Sequence, residues 1–385
     1  MKSVELFSGC GGLALGTARA GAEHVTMVEW DADACGTLFH NKKRKVEHAQ
    51  HWNIVHGDVR LVDWSEIEGK VDLIAGGPPC QPFSIGGKHK GKMDSRDMWP
   101  EAIRAVRELR PHTFLFENVR GLARPAFSAY LQWIVSNLSH PDLVRGDEED
   151  HESHLARLEA ESAPPEYKPI ILKINAADYG APQKRHRVLI AGVHRDLGIT
   201  LNFPAATHSR ERLLWDQWVT AEYWKRHGLD AAQRSPMKAD LAIVKRLRSM
   251  SEPPPGLPWI TVRDALAGLG EPNGRDNHVF QPGARTYQGH TGSPLDEPAK
   301  ALKAGDHGVP GGENMAVLDD GSVRYFTIRE AARLQGLPDN WHFVSSWTVS
   351  MRQIGNAVPT QLAEALGRWI GSEIERGRQQ QRIAA

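Results

Sequence analysis

Residues 5–16 read ELFSGCGGLALG, a glycine-rich turn between the short apolar run SVELFS and the helix-type segment LALGTARA. Gly9, Gly11 and Ala14 give it the form G-x-G-x-x-A, and Glu29 stands 20 residues beyond Gly9, at the end of the next β-type run, HVTMVEW. This is the dinucleotide fingerprint of a βαβ unit. The backbone approaches a ligand where no Cβ is tolerated, and the acidic side chain accepts from ribose hydroxyls. NAD, FAD and S-adenosylmethionine all carry an adenosine that suits such a turn, so the motif speaks for a fold before it speaks for a ligand.

Outward from this turn the same alternation continues. NIVHGD, VDLIAGG and HTFLFENV read as further buried strands, with DADACGTLFH and MWPEAIRAVREL as helices between strands. A charged, helix-type insert, DEEDHESHLARLEAE, precedes two more strands, PIILKINAADY and RHRVLIAGVH. Strands alternating with helices imply an α/β fold, a doubly wound, mostly parallel Rossmann-like sheet covered on both faces. After His194 the rhythm is lost. Residues 196–320 are rich in Trp, Arg, Pro and Gly, with breaks at SEPPPGLP (251–258) and GDHGVPGGEN (305–314). Order returns at TIREAARLQG, where Thr327 and Glu330 form a T-x-x-E capping box. A last helix is expected from near Pro359 through LAEALGRWIGSEIE, with the tail ERGRQQQRIAA frayed. The expected organisation is a cofactor-binding catalytic domain, 1–195, completed by residues 350–385, and a smaller irregular domain, 196–349.

Composition excludes several classes. The chain has 385 residues, 40% hydrophobic and 24% charged, with a formal net charge of +0. Such a balance argues against a protein that coats nucleic acid nonspecifically, while allowing a local basic groove. No apolar run is long enough to span a bilayer, and no signal segment is read at the start of the sequence. Its three cysteines, Cys10, Cys35 and Cys80, are too few and too scattered for a disulfide framework and lack the CxxC pairing of a zinc site, so a reducing cytoplasm and no metal site are expected.

One cysteine is placed oddly. In GGPPCQPFS (76–84), Cys80 follows the fourth strand, in a loop stiffened by Pro78, Pro79 and Pro82. That is the sheet edge at which open α/β folds bind ligands. A lone cysteine is often a small buried hydrophobe, but a polar, proline-bound loop favours a presented nucleophile. The next strand ends in Glu117 and Asn118, expected near Cys80. Glu117 there can hold and donate a proton, or simply cap or pair. In APQKRHRV (181–188), Arg185 and Arg187 alternate towards one face, suiting phosphate or carbonyl oxygen, or a solvated edge. Asp58, ending the third strand, is either a turn residue or an acceptor for an adenine amino group. The KKRK run at 42–45 is a solvated helix end or a phosphate contact.

Together, ELFSGCGG, GGPPCQPFS, FENV, QKRHR, REAARLQGLPDNW and QIGNAVP resemble the ordered motif set of the DNA (cytosine-5)-methyltransferases of bacterial restriction–modification systems. The motifs lie in residues 1–195 and 324–365. Glu5 stands where that family often has Asp, and the acidic insert near 146–162 is longer than expected. The resemblance implies transfer of a methyl group from S-adenosyl-L-methionine to carbon 5 of cytosine in double-stranded DNA, leaving S-adenosyl-L-homocysteine. By this resemblance Cys80 adds to carbon 6 of a flipped-out base, Glu117 acts at ring nitrogen 3 and the amino group, and Arg187, with Arg185 behind it, binds the carbonyl oxygen or orients the nucleophile. Phe7, Gly9, Gly11 and Gly12 would surround the cofactor, Glu29 its ribose, Trp30 and Asp58 its adenine, with Asn356 and Val358 completing the pocket. The loop SIGGKHKGKMDSR (84–96) reads as a lid whose cations meet phosphates, and 196–320 as the target reader. The resemblance further implies a monomer on nucleoid DNA, with a cognate endonuclease in the same system but not in contact. Two rivals differ in substrate or class: a tRNA cytosine-5 methyltransferase, and a catalytically idle DNA-binding regulator. An NAD oxidoreductase is permitted by the glycine loop alone.

Overall fold

The computed structural model describes residues 1–67, 69–79, 97–288, 291–304 and 314–384. Its centre is a seven-stranded sheet built from β1 (Lys2–Leu6), β2 (Glu23–Glu29), β3 (Ile54–His56), β4 (Leu73–Gly76), β5 (Thr113–Val119), β6 (Tyr167–Asn175) and β8 (His186–His194). The order is β3-β2-β1-β4-β5-β8-β6. Neighbours pair in parallel from β3 to β5, and β8 lies antiparallel between β5 and β6. The chain winds from β1 outward to β3, then returns to place β4 on the other side of β1. The switch point therefore falls between β1 and β4, and the loops after these strands, glycine-rich and proline-rich, flank one crevice.

Alternation along the strands sorts side chains to two faces, as period-two residues must. Ile74, Phe114 and Phe116 join Trp99, Ile103 and Val106 of α3 (Trp99–Leu109) and Trp133, Ile134 and Leu138 of α4 (Ser128–Ser139). Leu73, Ala75 and Leu115 face the opposite way, against Leu362, Leu366 and Ile370 of the last helix. Flanking β2 are α1 (Gly12–Arg19) and α2 (Ala32–Lys43), the latter capped by Asp31, which accepts from Ala34 N at 2.9 Å. The acidic insert is helical as expected: α5 (His151–Glu159) starts on an Asp150 cap and packs on α4, where Trp133 Nε1 donates to His154 Nδ1 at 3.0 Å.

The segment after β8 is a string of short elements. They are α6 (Arg210–Trp218), α7 (Glu222–Arg226), α8 (Leu241–Leu247), α9 (Val262–Leu266), and the strand pieces β9 (His208–Ser209), β10 (Leu257–Pro258), β11 (Ser293–Pro294), β12 (Ala299–Lys300), β13 (Met315–Val317) and β14 (Val323–Tyr325). One piece reaches back: β12 pairs in parallel with β7 (Gln183–Lys184), just ahead of β8. The expected capping box is present, opening α10 (Ile328–Leu334), and α11 (Trp347–Asn356) and α12 (Thr360–Ala384) follow. Phe326, Ile328 and Leu334 share a core with Ala14, Leu15, Leu38 and Trp52.

Two residues explain how α12 joins the first helix. A Cβ on Gly16 would lie 2.5 Å from Thr360 O, and one on Gly367 would lie 2.7 Å from Ala20 Cβ, so the helices touch backbone to backbone. The frayed tail expected from the sequence is corrected: α12 runs to Ala384, with Arg376 Nη2 on Thr200 O (2.7 Å) and Arg378 Nη2 on Asp72 Oδ1 (2.6 Å). Composition concealed this, because the docking uses arginine and not apolar residues. Among the described residues, no helix is long and apolar enough to cross a membrane.

Candidate active site

The turn after β1 is strained where it meets the crevice. Phe7 has φ 57°, a left-handed conformation that a bulky residue adopts only when its surroundings enforce it. Gly9 N donates to Glu29 Oε2 at 2.7 Å, and Glu29 Oε1 accepts from Trp30 N (2.9 Å) and Asp31 N (2.8 Å). Burial pushes the Glu29 carboxyl up, and the three amides pull it back. A carboxylate offers about four lone-pair directions, so three amides leave one for a ligand hydroxyl. Beside this buried group Trp30 is 73% exposed, a large unpaired face next to an acceptor. Glu5 lies buried under α1, where desolvation raises its pKa well above the carboxylate range despite the Ala14 amide.

The far wall comes from the chain's other end. A Cβ on Gly12 would stand 2.5 Å from Val358 O, so the loop between α11 and α12 lies directly on the first turn of α1. Val358 is buried there, and Asn356, at the end of α11, is exposed. Asp58 sits at the end of β3 but is engaged: Arg60 Nε bonds both of its oxygens, at 3.0 and 2.9 Å, and holds its carboxyl below the usual range. An adenine amino group would have to share it with Arg60. Sequence reasoning passed over Leu61, which is 85% exposed beside Asp58; an apolar residue in LVDW gives no signal of such exposure.

Across the switch point, β4 runs into Gly77, Pro78 and Pro79; Cys80 and the 84–96 loop lie outside the described residues. What precedes Cys80 is held in place by β5. Asn118 Nδ2 donates to Pro78 O at 3.0 Å, and a Cβ on Gly77 would lie 3.5 Å from Glu117 Oε2. Glu117 is buried and forms an ion pair with Arg187 Nε. The register accounts for it: Arg187 lies opposite Val119, and Glu117 is two residues back on the same face, within diagonal reach. Arg185 is bonded differently. Its buried guanidinium donates to Leu302 O (3.0 Å) and Gly355 O (2.6 Å), and the charges of Arg187 and Glu117 reach it only through space. The two other cysteines are inert: burial pushes the thiols of Cys10 and Cys35 up to about 12.

A doubly wound sheet thus carries a glycine turn and a buried acceptor on one side of its switch point, and on the other a buried carboxylate–guanidinium pair beside Gly77 and Pro78. Residues 1–142 and 148–372 match the family described as C-5 cytosine-specific DNA methylase, and the chain belongs to that family. It methylates carbon 5 of cytosine within a specific double-stranded DNA sequence. Among its relatives is the type II methyltransferase M.NgoMIV of Neisseria gonorrhoeae, 32% identical over 382 residues, covering 96% of each chain. Another is M.PspPI of Psychrobacter sp. (strain TA137), 33% identical over 370 residues, covering 95% of this chain and 78% of that one. A putative DNA modification methyltransferase from an E. coli prophage shares the fold with a TM-score of 0.58 at 23% identity, over 97% of this chain and 99% of that one. So does a Spodoptera frugiperda DNMT2 variant, with a TM-score of 0.59 at 15% identity, over 96% of this chain and 99% of that one.

Proposed function

We propose that the methyl donor is S-adenosyl-L-methionine and that the reaction runs through a covalent bond from Cys80 to carbon 6 of an extruded cytosine. The donor site would be formed by Phe7, Gly9, Gly11, Gly12, Glu29 and Trp30, with Asp58, Asn356 and Val358 at its borders. These residues fit the group: the turn offers backbone without Cβ atoms, an acceptor with one free direction, and an exposed indole. When bound, the cofactor supplies an electrophilic sulfonium methyl and leaves as S-adenosyl-L-homocysteine.

The chain's own residues do the rest. Inside a duplex the base is out of reach, so it must leave the stack, at a cost on the order of a few kcal/mol. The Cys80 thiolate adds to carbon 6, and the electron pair of the 5,6 double bond moves to carbon 5, making it nucleophilic. Glu117 hydrogen-bonds or protonates ring nitrogen 3 and spreads the charge that develops on the ring. Arg187, paired with Glu117, orients that carboxyl and faces the base carbonyl. After carbon 5 has been methylated it loses its proton, the double bond re-forms and Cys80 leaves. The observation that carries this reading is the Glu117–Arg187 pair, held beside Gly77 and Pro78 by β5 and the Asn118 bond.

Residues 196–349 serve as the target-recognition domain, with α10 seated on the catalytic core. The protein acts as a monomer on nucleoid DNA in a bacterial cytoplasm, beside a cognate restriction endonuclease it does not touch. Bisulfite sequencing of DNA from cells expressing the protein should map 5-methylcytosine to one short motif. In Cys80→Ser that signal should vanish while S-adenosylmethionine still binds; methylation retained in this variant would falsify the covalent route. Methylation of tRNA but not of duplex DNA would move the reading to RNA.

A further inference from the structure

Arg185 is fully buried, and among the described residues no carboxylate contacts it. A guanidinium taken out of water with no carboxylate bonded to it is costly to keep, so its geometry must matter. Its two bonds go to main-chain carbonyls from distant parts of the chain. Leu302 O belongs to the strap that follows β12, and β12 is itself paired to Gln183 and Lys184. Gly355 O comes immediately before the Asn356–Val358 loop that lies on Gly12. These two backbones also touch, for a Cβ on Gly355 would collide with Ala304 N. Asn314 braces the same strap, its Oδ1 accepting from Lys303 N and its Nδ2 donating to Lys303 O, both at 3.0 Å. Gln183, two residues before Arg185, works in parallel. It donates to Leu334 O (2.8 Å) and to Gln335 Oε1 (2.6 Å), and Gln335 in turn bonds Ala357 O.

We propose that Arg185 is a positioning residue that makes cofactor binding and target binding mutually dependent, by fastening the Ala299–Ala304 strap of the recognition domain to the Gly355–Val358 wall of the cofactor pocket. It touches neither ligand. A cofactor seated on Gly12 and Val358 fixes the Gly355 carbonyl, and through Arg185 the strap, so the duplex meets a surface already ordered. Linkage requires the converse: bound DNA must tighten the cofactor by the same factor. This inference rests on the pocket and domain assignments proposed above.

The test uses the full chain, S-adenosyl-L-homocysteine and a short duplex carrying the motif found by bisulfite mapping. DNA affinity is measured with and without S-adenosyl-L-homocysteine, and S-adenosyl-L-homocysteine affinity with and without DNA. In the native protein each ligand should tighten the other about tenfold, within the usual span of coupling between sites. Arg185→Lys, whose ammonium cannot span both carbonyls, should still bind each ligand alone, with the coupling factor falling towards one. A merely structural role would lower thermal stability and leave that factor untouched. Should Arg185→Lys fail to fold, Asn314→Ala decides, since it frees the strap from its other side: a lost factor supports the proposal and a retained one overturns it. If the native protein binds no S-adenosyl-L-homocysteine, the pocket assignment falls and this inference with it. If it binds both ligands with no coupling, only the inference falls.

Discussion

At the scale of single residues, two of the three thiols are set aside by burial. Cys10 and Cys35 are buried with pKa values of about 12, so at pH 8 neither contributes an appreciable thiolate. Titration of the native protein with a disulfide reagent should therefore report one fast thiol, three after denaturation, and none fast in Cys80→Ser. Two fast thiols in the native protein would contradict the burial argument. Glu117 is tested differently. Glu117→Gln keeps the shape, hydrogen-bonds Arg187 through its amide oxygen and cannot donate the proton. Turnover should fall by about 10²–10⁴ with DNA affinity retained, as measured by methyl incorporation alongside a binding assay. A loss of binding in proportion to the loss of rate would make Glu117 a positioning group only. The sequence made Glu117 legible because an acidic residue ending an apolar strand at the ligand edge is costly to keep. It misassigned the direction of Arg185, since strict alternation from Arg187 ignores the break between β7 and β8, where the chain turns its side chain inward.

Elements obey packing rules that carry their own tests. The α1–α12 contact is a backbone-to-backbone approach, so Gly16→Ala inserts a methyl where Thr360 O stands 2.5 Å away. Overpacking of this kind costs about 1–3 kcal/mol. Thermal unfolding should show that loss, with weaker S-adenosyl-L-homocysteine binding because Val358 leads into α12. The last turns of α12 hang on Asp72, whose oxygens take Arg378 Nη2 (2.6 Å), His112 Nδ1 (2.9 Å) and Lys2 N (2.8 Å). Burial raises the Asp72 pKa, but His112, the Lys2 amide and Arg378 outweigh it and the carboxyl is held low. Its contribution is thus fully present above the unfolded value, near pH ~3.9, and is lost as pH falls through the lower folded value. Asp72→Asn should flatten the acid limb of a denaturant-midpoint profile, leaving neutral pH with a loss of about 1 kcal/mol for a partly exposed cluster. An unchanged acid limb would assign the tail's docking to packing alone.

Over the whole molecule, the legible part was the alternating half. Strong period-two and period-3.6 patterns with glycine punctuation placed the strands of the sheet and the turn at its switch point, because buried parallel strands have little freedom in composition. Residues 196–320 were opaque for the opposite reason. Beside two small apolar clusters around Trp215 and Trp224, their order rests on arginine–carboxylate clusters such as Arg234 and Arg263 with Asp296 (2.7 Å each), and on caps such as Thr261 with Asp264, neither of which has a period. The cofactor pocket was half legible: its glycine side was read directly, whereas its Val358 side came only by resemblance, since nothing local says that residue 358 meets residue 12.

The embrace of α1 by α12 bears on synthesis. A ribosome delivers Gly12–Arg19 long before Thr360–Ala384, so α1 waits with its inner face uncovered until α12 emerges. Nascent chains stalled before residue 360 should stay open to protease, and chains extended through α12 should close. A message cut short before residue 360 would then yield a fragment that cannot mark the genome, and only a polypeptide that carries α12 would be able to write on DNA.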